Sequence, residues 1–200
     1  MTRYPDPSET EQNKFLRRLY FGQGHDYLLL CLERAYLDMC RTAHGISQFP
    51  SAYSAAITLL HQRLSQLASQ KCHLDSERFD KWHESICLDL VASYQQHDYR
   101  LFSIGQAQKW INMAFKYVYV IGRNELPGFA SFYSLCHIPI DNIIIKHSAF
   151  AGAPRFKCAW SRITTYDSYL AYQHWVRKSF HGSSPLAVEF RLWQGTPAAA

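Results

Sequence analysis

The stretch from Ser103 to Gly122 constrains this chain more than any other. Ser103 followed by Gln106 is a capping-box signature, and Gly122 stands where a helix commonly ends on glycine. Between them the pattern predicts a helix over 104–121. From Trp110 onward it is apolar almost all round, so it must be buried on most sides. The polar exceptions are ordered. Lys109, Asn112 and Lys116 follow one another at spacings of three and four residues and share one face, which Gly105 and Arg123 extend. An unpaired buried ammonium costs several kcal/mol, so this stripe must meet water, an acid or a ligand. Snorkelling, with the lysine stems on the core and the heads in solvent, is the plain alternative.

Helical patterning dominates the remainder. Tyr27 to Cys40 reads as a buried helix. Ser51 can cap a helix to about Ser69, with Ala55, Ala56, Leu59, Leu60, Leu64 and Leu67 inward. Asp75 or Ser76 opens another through Phe79, Trp82, Ile86, Leu90 and Tyr94. Thr164 with Asp167 suggests a capping box for a helix to Phe180, and Ser184-Pro185 starts a last short one. No segment alternates cleanly as a strand would, so the expected class is all-α. Residues 1–13 read as a flexible leader and 14–200 as one domain. The polar N-terminus has no apolar signal core, and no run approaches a membrane span, which points to the cytoplasm. The six cysteines form no Cys-x-x-Cys pair and His-Glu-x-x-His is absent. Reduced thiols, no metal and no cofactor are therefore expected.

Charge is unevenly divided. Residues 1–98 hold 10 Lys/Arg against 12 Asp/Glu, and residues 99–200 hold 11 against 4. Between Asp141 and Asp167 stand Lys146, Arg155, Lys157 and Arg162 with no acid among them. Such a one-sided segment suits a phosphate-binding surface, or else is an ordinary solvated face.

After the turn signal Leu126-Pro127-Gly128 comes Cys136-His137-Ile138-Pro139-Ile140-Asp141, then Asn142-Ile143-Ile144-Ile145. Pro139 fixes its own φ and holds Ile138 extended, so the chain reaches a helix start with Asp141 in or near the first turn. Free N–H groups there favour a carboxylate. A lysine on a buried helix followed by a Pro-x-Asp helix start resembles the helix-hairpin-helix DNA glycosylases, in particular the 8-oxoguanine glycosylase group and its long-spaced archaeal-type branch. The match covers residues 100–147; the usual Gly-x-Gly hairpin is reduced to Ile104-Gly105.

The resemblance implies a single-domain helical bundle acting on double-stranded DNA as a monomer. Lys109 would be the nucleophile and Asp141 the essential carboxylate, with Lys116 the alternative nucleophile or a DNA contact. The base excised would be 8-oxoguanine, in repair, or a hypermodified phage base such as glucosylated hydroxymethylcytosine, in antiviral defence. A flipped-out base needs stacking and edge hydrogen bonds, for which Trp110, Asn112, His137 and Trp160 are candidates. Lys146, His147, Arg155, Lys157 and Arg162 would meet phosphates. Two rival readings exist. Arg18-x6-His25 has the loose spacing of HEPN-type ribonuclease toxins, and the lysine stripe could serve a non-catalytic helix-hairpin-helix module.

Overall fold

A computed structural model of the chain describes residues 6–70, 74–122 and 124–193. Among the described residues eight α-helices follow in order: α1 Glu9–Phe21, α2 Tyr27–Cys40, α3 Pro50–Ser69, α4 Ser76–Gln96, α5 Ile104–Ile121, α6 Asn142–Lys146, α7 Tyr166–Ser179 and α8 Pro185–Trp193. Short 3-10 turns lie at Ile46–Gln48, Pro127–Phe129, Ser148–Phe150 and Trp160–Arg162. No strand occurs among the described residues. The fold is all-α, and none of the described helices is long and apolar enough to cross a membrane. Cys31, Cys40, Cys87, Cys136 and Cys158 are unpaired; Cys72 and Arg123 lie outside the described residues.

Helix α5 is the axis of the molecule, packing most extensively against α2, then α4 and the Trp160–Arg162 turn. Ala107, Trp110, Ile111, Ala114, Phe115 and Val118 lose all contact with solvent. Trp110 satisfies its indole N–H on the Leu32 carbonyl at 2.9 Å, which fixes α5 against α2. Its N-terminus forms the capping box in full: the Ser103 hydroxyl accepts from Gln106 N at 3.2 Å, and Gln106 Oε1 accepts from Ser103 N at 3.1 Å. Gly122, at φ 94°, ends it. The neighbouring helices bury most of the stripes expected of them, Leu60, Leu64 and Leu67 on α3 and Phe79, Ile86 and Leu90 on α4, while Ala55, Leu59 and Trp82 are only partly buried.

Three boundaries differ from the sequence pattern. Helix α1 begins at Glu9, inside the segment read as a flexible leader, because Ser8 and Glu11 close a capping box of their own. Helix α3 begins at Pro50, where proline occupies the first turn, so Ser51 lies within the helix. The Thr164–Asp167 box does not form; Thr165 takes the N-cap position, and its hydroxyl meets Ser168 at 2.8 Å.

Gly105 decides how the Trp160–Arg162 turn seats on α5. A methyl group there would stand 1.9 Å from the Trp160 carbonyl oxygen, and Gly105 N donates to the Ile163 carbonyl at 3.0 Å. The turn thus lies on bare backbone one helical turn before Lys109. Gly105→Ala raises helix propensity by up to about 1 kcal/mol. The clash is with backbone that cannot swing away, so the net effect is destabilisation by about 1–3 kcal/mol. Thermal unfolding should show a lower midpoint; an unchanged or raised midpoint would refute this account of the seat.

Candidate active site

A cleft of about 730 Å³ runs along the lysine stripe of α5. On one side it is walled by Tyr20 of α1 and by Arg34, Asp38 and Arg41 of α2 and the residue after it. On the other stand Asp141, Asn142, Ile143 and Trp160, with Glu189, Phe190 and Trp193 of α8 closing it. Lys109, Met113, Lys116 and Tyr117 line its floor.

Asp141 is the N-cap of α6 and divides its oxygens between two tasks. Oδ1 accepts from the backbone N–H groups of Ile143 and Ile144 at 2.9 and 3.0 Å. Oδ2 accepts from Lys109 Nζ at 2.5 Å. Lys109 is 6% exposed, so the pair meets solvent and ligand only through the cleft. Backbone holds the carboxylate still while its second oxygen faces the amine.

What brings the two together is a pair of glutamines. Gln108 accepts from Ile140 N at 3.2 Å and donates to the Ile140 carbonyl at 3.0 Å. Gln173 of α7 does the same to Ile138, at 3.1 and 2.9 Å. Each side-chain amide pairs with one backbone residue as a neighbouring strand would. The segment 138–140 carries Pro139 between the two clamps, so its approach to Asp141 is held on both flanks.

Behind the clamp lies a buried polar network. Arg177 donates twice to Asp80, at 2.7 Å each, and His137 Nε2 lies 2.8 Å from Asp80 Oδ1. The carboxylate only accepts, so that nitrogen carries the proton and Nδ1 accepts from the Tyr169 hydroxyl at 2.7 Å. Tyr169 takes a hydrogen bond from Asn112, which also donates to Gln108. His83 lies 3.0 Å from Asn112 Oδ1 and 2.9 Å from the Tyr166 hydroxyl. The network joins α4, α5, α7 and the Asp141 approach. Burial raises the Asp80 carboxyl, but hydrogen bonds from Arg177 and His137 outweigh it and hold the group well below the usual carboxylate range. Burial, reinforced by Arg177 and only partly offset by Asp80, depresses His137 to about 4. Burial and His137 push His83 well below the ordinary histidine value.

Lys116 reaches Glu189 Oε1 at 2.8 Å and lies over the Trp193 ring at 4.6 Å. Glu189 is 1% exposed, its Oε2 has no hydrogen-bond partner among the described residues, and burial raises its pKa against the pull of Lys116. At the α2 side, the Tyr117 hydroxyl donates to Asp38 and meets the Tyr20 hydroxyl at 3.1 Å, while the Arg34 guanidinium lies 4.4 Å over the Tyr20 ring.

The residues singled out from sequence are thus divided. Lys109, Asp141, Lys116 and Trp160 meet in the cleft. Trp110, Asn112 and His137 do not line it, since the indole is a core anchor and the other two belong to the network behind. Their polar atoms are committed to partners within the protein. Lys146, Arg155, Lys157 and Arg162 are exposed, and His147 is partly so. Glu189 and Trp193 went unnoticed in the sequence, although an acid beside Pro185, Leu186 and Val188 on the buried side of α8 was a legible sign. The two glutamine clamps and the Asp80 network carry no such sign. Comparison with protein-family models, with curated proteins and with solved structures returns no match.

The network dictates a pH dependence of stability. A histidine held below its ordinary value stays neutral in the fold while the unfolded chain takes up a proton, so stability is full above about pH 6.5 and falls as pH drops towards 4. His137 alone should remove about 2 kcal/mol between pH 7 and pH 5. Denaturant unfolding at the two values measures it. His137→Gln should be less stable at pH 7 but flatter across this window, and an equally steep variant would show that His137 is not the group responsible.

Proposed function

We propose that this protein is a DNA glycosylase that excises a modified base with Lys109 as nucleophile. The observation that carries the reading is the Lys109–Asp141 pair, at 2.5 Å, on the wall of a cleft large enough for an everted nucleotide. The pairing also speaks against the non-catalytic alternative. Both lysines of the stripe are closed on carboxylates inside the cleft rather than offered to phosphates.

The chemistry runs from the residues as they stand. Once the Lys109 ammonium passes a proton to Asp141 Oδ2, its nitrogen lone pair is free to attack C1′ of the everted nucleotide. A C1′–N bond forms, the N-glycosidic bond breaks, and the base leaves with its bonding electrons and takes the proton held on Asp141 Oδ2, which restores the carboxylate as the sugar becomes cation-like. Opening of the sugar ring gives an imine, from which elimination can cleave the strand. The sugar is cation-like in the transition state, and a carboxylate already fixed by two backbone N–H groups stabilises it without reorganising. Trp160 and Trp193 offer faces for stacking, and Glu189 Oε2 offers an acceptor for an N–H edge of the base. The helix-hairpin-helix assignment and the role of the 146–162 basic segment in holding phosphates belong to this same reading.

Borohydride trapping on duplexes carrying a panel of modified bases, 8-oxoguanine and glucosylated hydroxymethylcytosine among them, tests it. Lys109→Gln should abolish both base release and trapping. Asp141→Asn keeps an N-cap and should bind DNA nearly normally, yet lose about 3–4 kcal/mol of barrier reduction, or two to three orders of magnitude in rate. Lys116→Gln should cost less than either. Full activity in Asp141→Asn would refute the mechanism, and trapping that depends on Lys116 rather than Lys109 would reassign the nucleophile.

A further inference from the structure

Several cations of this molecule are matched to acids. Arg34 pairs with Asp38, Arg63 with Asp89, Lys81 with Glu77 and Arg177 with Asp80, besides the two cleft lysines. Lys14, Arg17 and Arg18 of α1 have no ion pair among the described residues. With Phe21 they fall at spacings of three and four, so they share one face of the helix. Phe21 is buried and packs edge-on against Tyr117 at 5.5 Å, which turns that face towards the corner between α1 and α2. There the three cations, with His25, line a concavity of about 460 Å³. Glu125 is the one acid on its wall among the described residues.

The corner has a fixed relation to the cleft, because α1 also supplies Tyr20 to the cleft wall. The opposite wall holds Ile143 and Trp160, which bracket the exposed Lys146, Arg155 and Lys157. The chain segment between those two wall residues therefore carries cations unpaired among the described residues, as α1 does beside Tyr20 on the other wall. Three cations converging with a single acid nearby repel one another unless a polyanion sits between them, and a phosphodiester backbone supplies several acceptors at once. We propose that the α1–α2 corner is a second backbone-phosphate site, which grips the duplex on the flank of the cleft away from residues 146–162. The inference rests on the glycosylase reading for the identity of the polymer. It also gives a role to Arg18 and His25, whose spacing alone suggested a ribonuclease.

The test compares the wild-type chain with Lys14→Gln/Arg17→Gln/Arg18→Gln, all exposed or partly exposed positions. Fluorescence anisotropy on a short unmodified duplex, across a salt series, gives the slope of log affinity against log salt. Each lost phosphate contact reduces that slope by about 0.9, so the triple variant should be flatter by about 2–3 and bind about tenfold or more weakly at low salt. Lys81→Gln, whose ammonium is already closed on Glu77, should not change the slope. Trapping at saturating protein should be unaffected in the triple variant. An unchanged slope, an equal change in Lys81→Gln, or a loss confined to single-stranded RNA would overturn the phosphate site. A wild-type protein that shows the expected slope but never traps would refute the glycosylase reading while supporting the site.

Discussion

An ammonium inside a protein needs a carboxylate beside it, and α5 carries two of them inwards. Lys109 and Lys116 lie two helical turns apart on the face of the central helix that is not sealed by α2 and α4. Everything that closes the cleft answers to that requirement. Asp141 arrives from the loop before α6, and Glu189 arrives from α8, near the end of the described chain. The two acids are held differently. Asp141 is pinned by backbone donors at a helix start, whereas Glu189 leaves one oxygen unpartnered. The first arrangement holds a carboxylate oxygen still in front of the amine, and the second leaves a buried acceptor without a donor among the described residues.

Holding Asp141 within reach of Lys109 falls to an extended segment, 138–140, that has no sheet to join. Its backbone groups are met instead by Gln108 and Gln173, each amide acting as a one-residue strand. Because Gln108 sits next to Lys109 and Ile140 next to Asp141, the clamp ties the two catalytic candidates through adjacent residues. The Asp80–Arg177–His137 network lies directly behind and ties α4, α7 and the approach to Asp141 together. This tie comes with acid sensitivity, since the same burial that orders the histidines keeps them neutral.

The helices themselves were largely legible. Periodicity marked α2 residue for residue, and capping chemistry marked α4 and α5, because those signals are local: a side chain meets a backbone group three residues away. The same rule, applied to Ser8 and Glu11, would have revealed α1. The need of Lys109 for an acid was legible as well, but Asp141 is singled out for it only through the resemblance to the helix-hairpin-helix glycosylases. Trp110, Asn112 and His137 could not be placed, because an indole or imidazole beside the right residues in sequence can face either side of a helix or loop.

What the sequence by itself determined was therefore the inventory of helices, the burial of α5 and the need of its lysine stripe for counter-charge. Those follow from hydrogen bonds and apolar periods within a few residues of one another. Which acid meets which lysine, which aromatic faces the cleft and which polar group is spent on the core were decided by tertiary structure alone. Glu189 is seventy-three residues from Lys116, and Gln173 thirty-five from Ile138. Partners so far apart are chosen by how α7 and α8 dock, a packing outcome that no local pattern records.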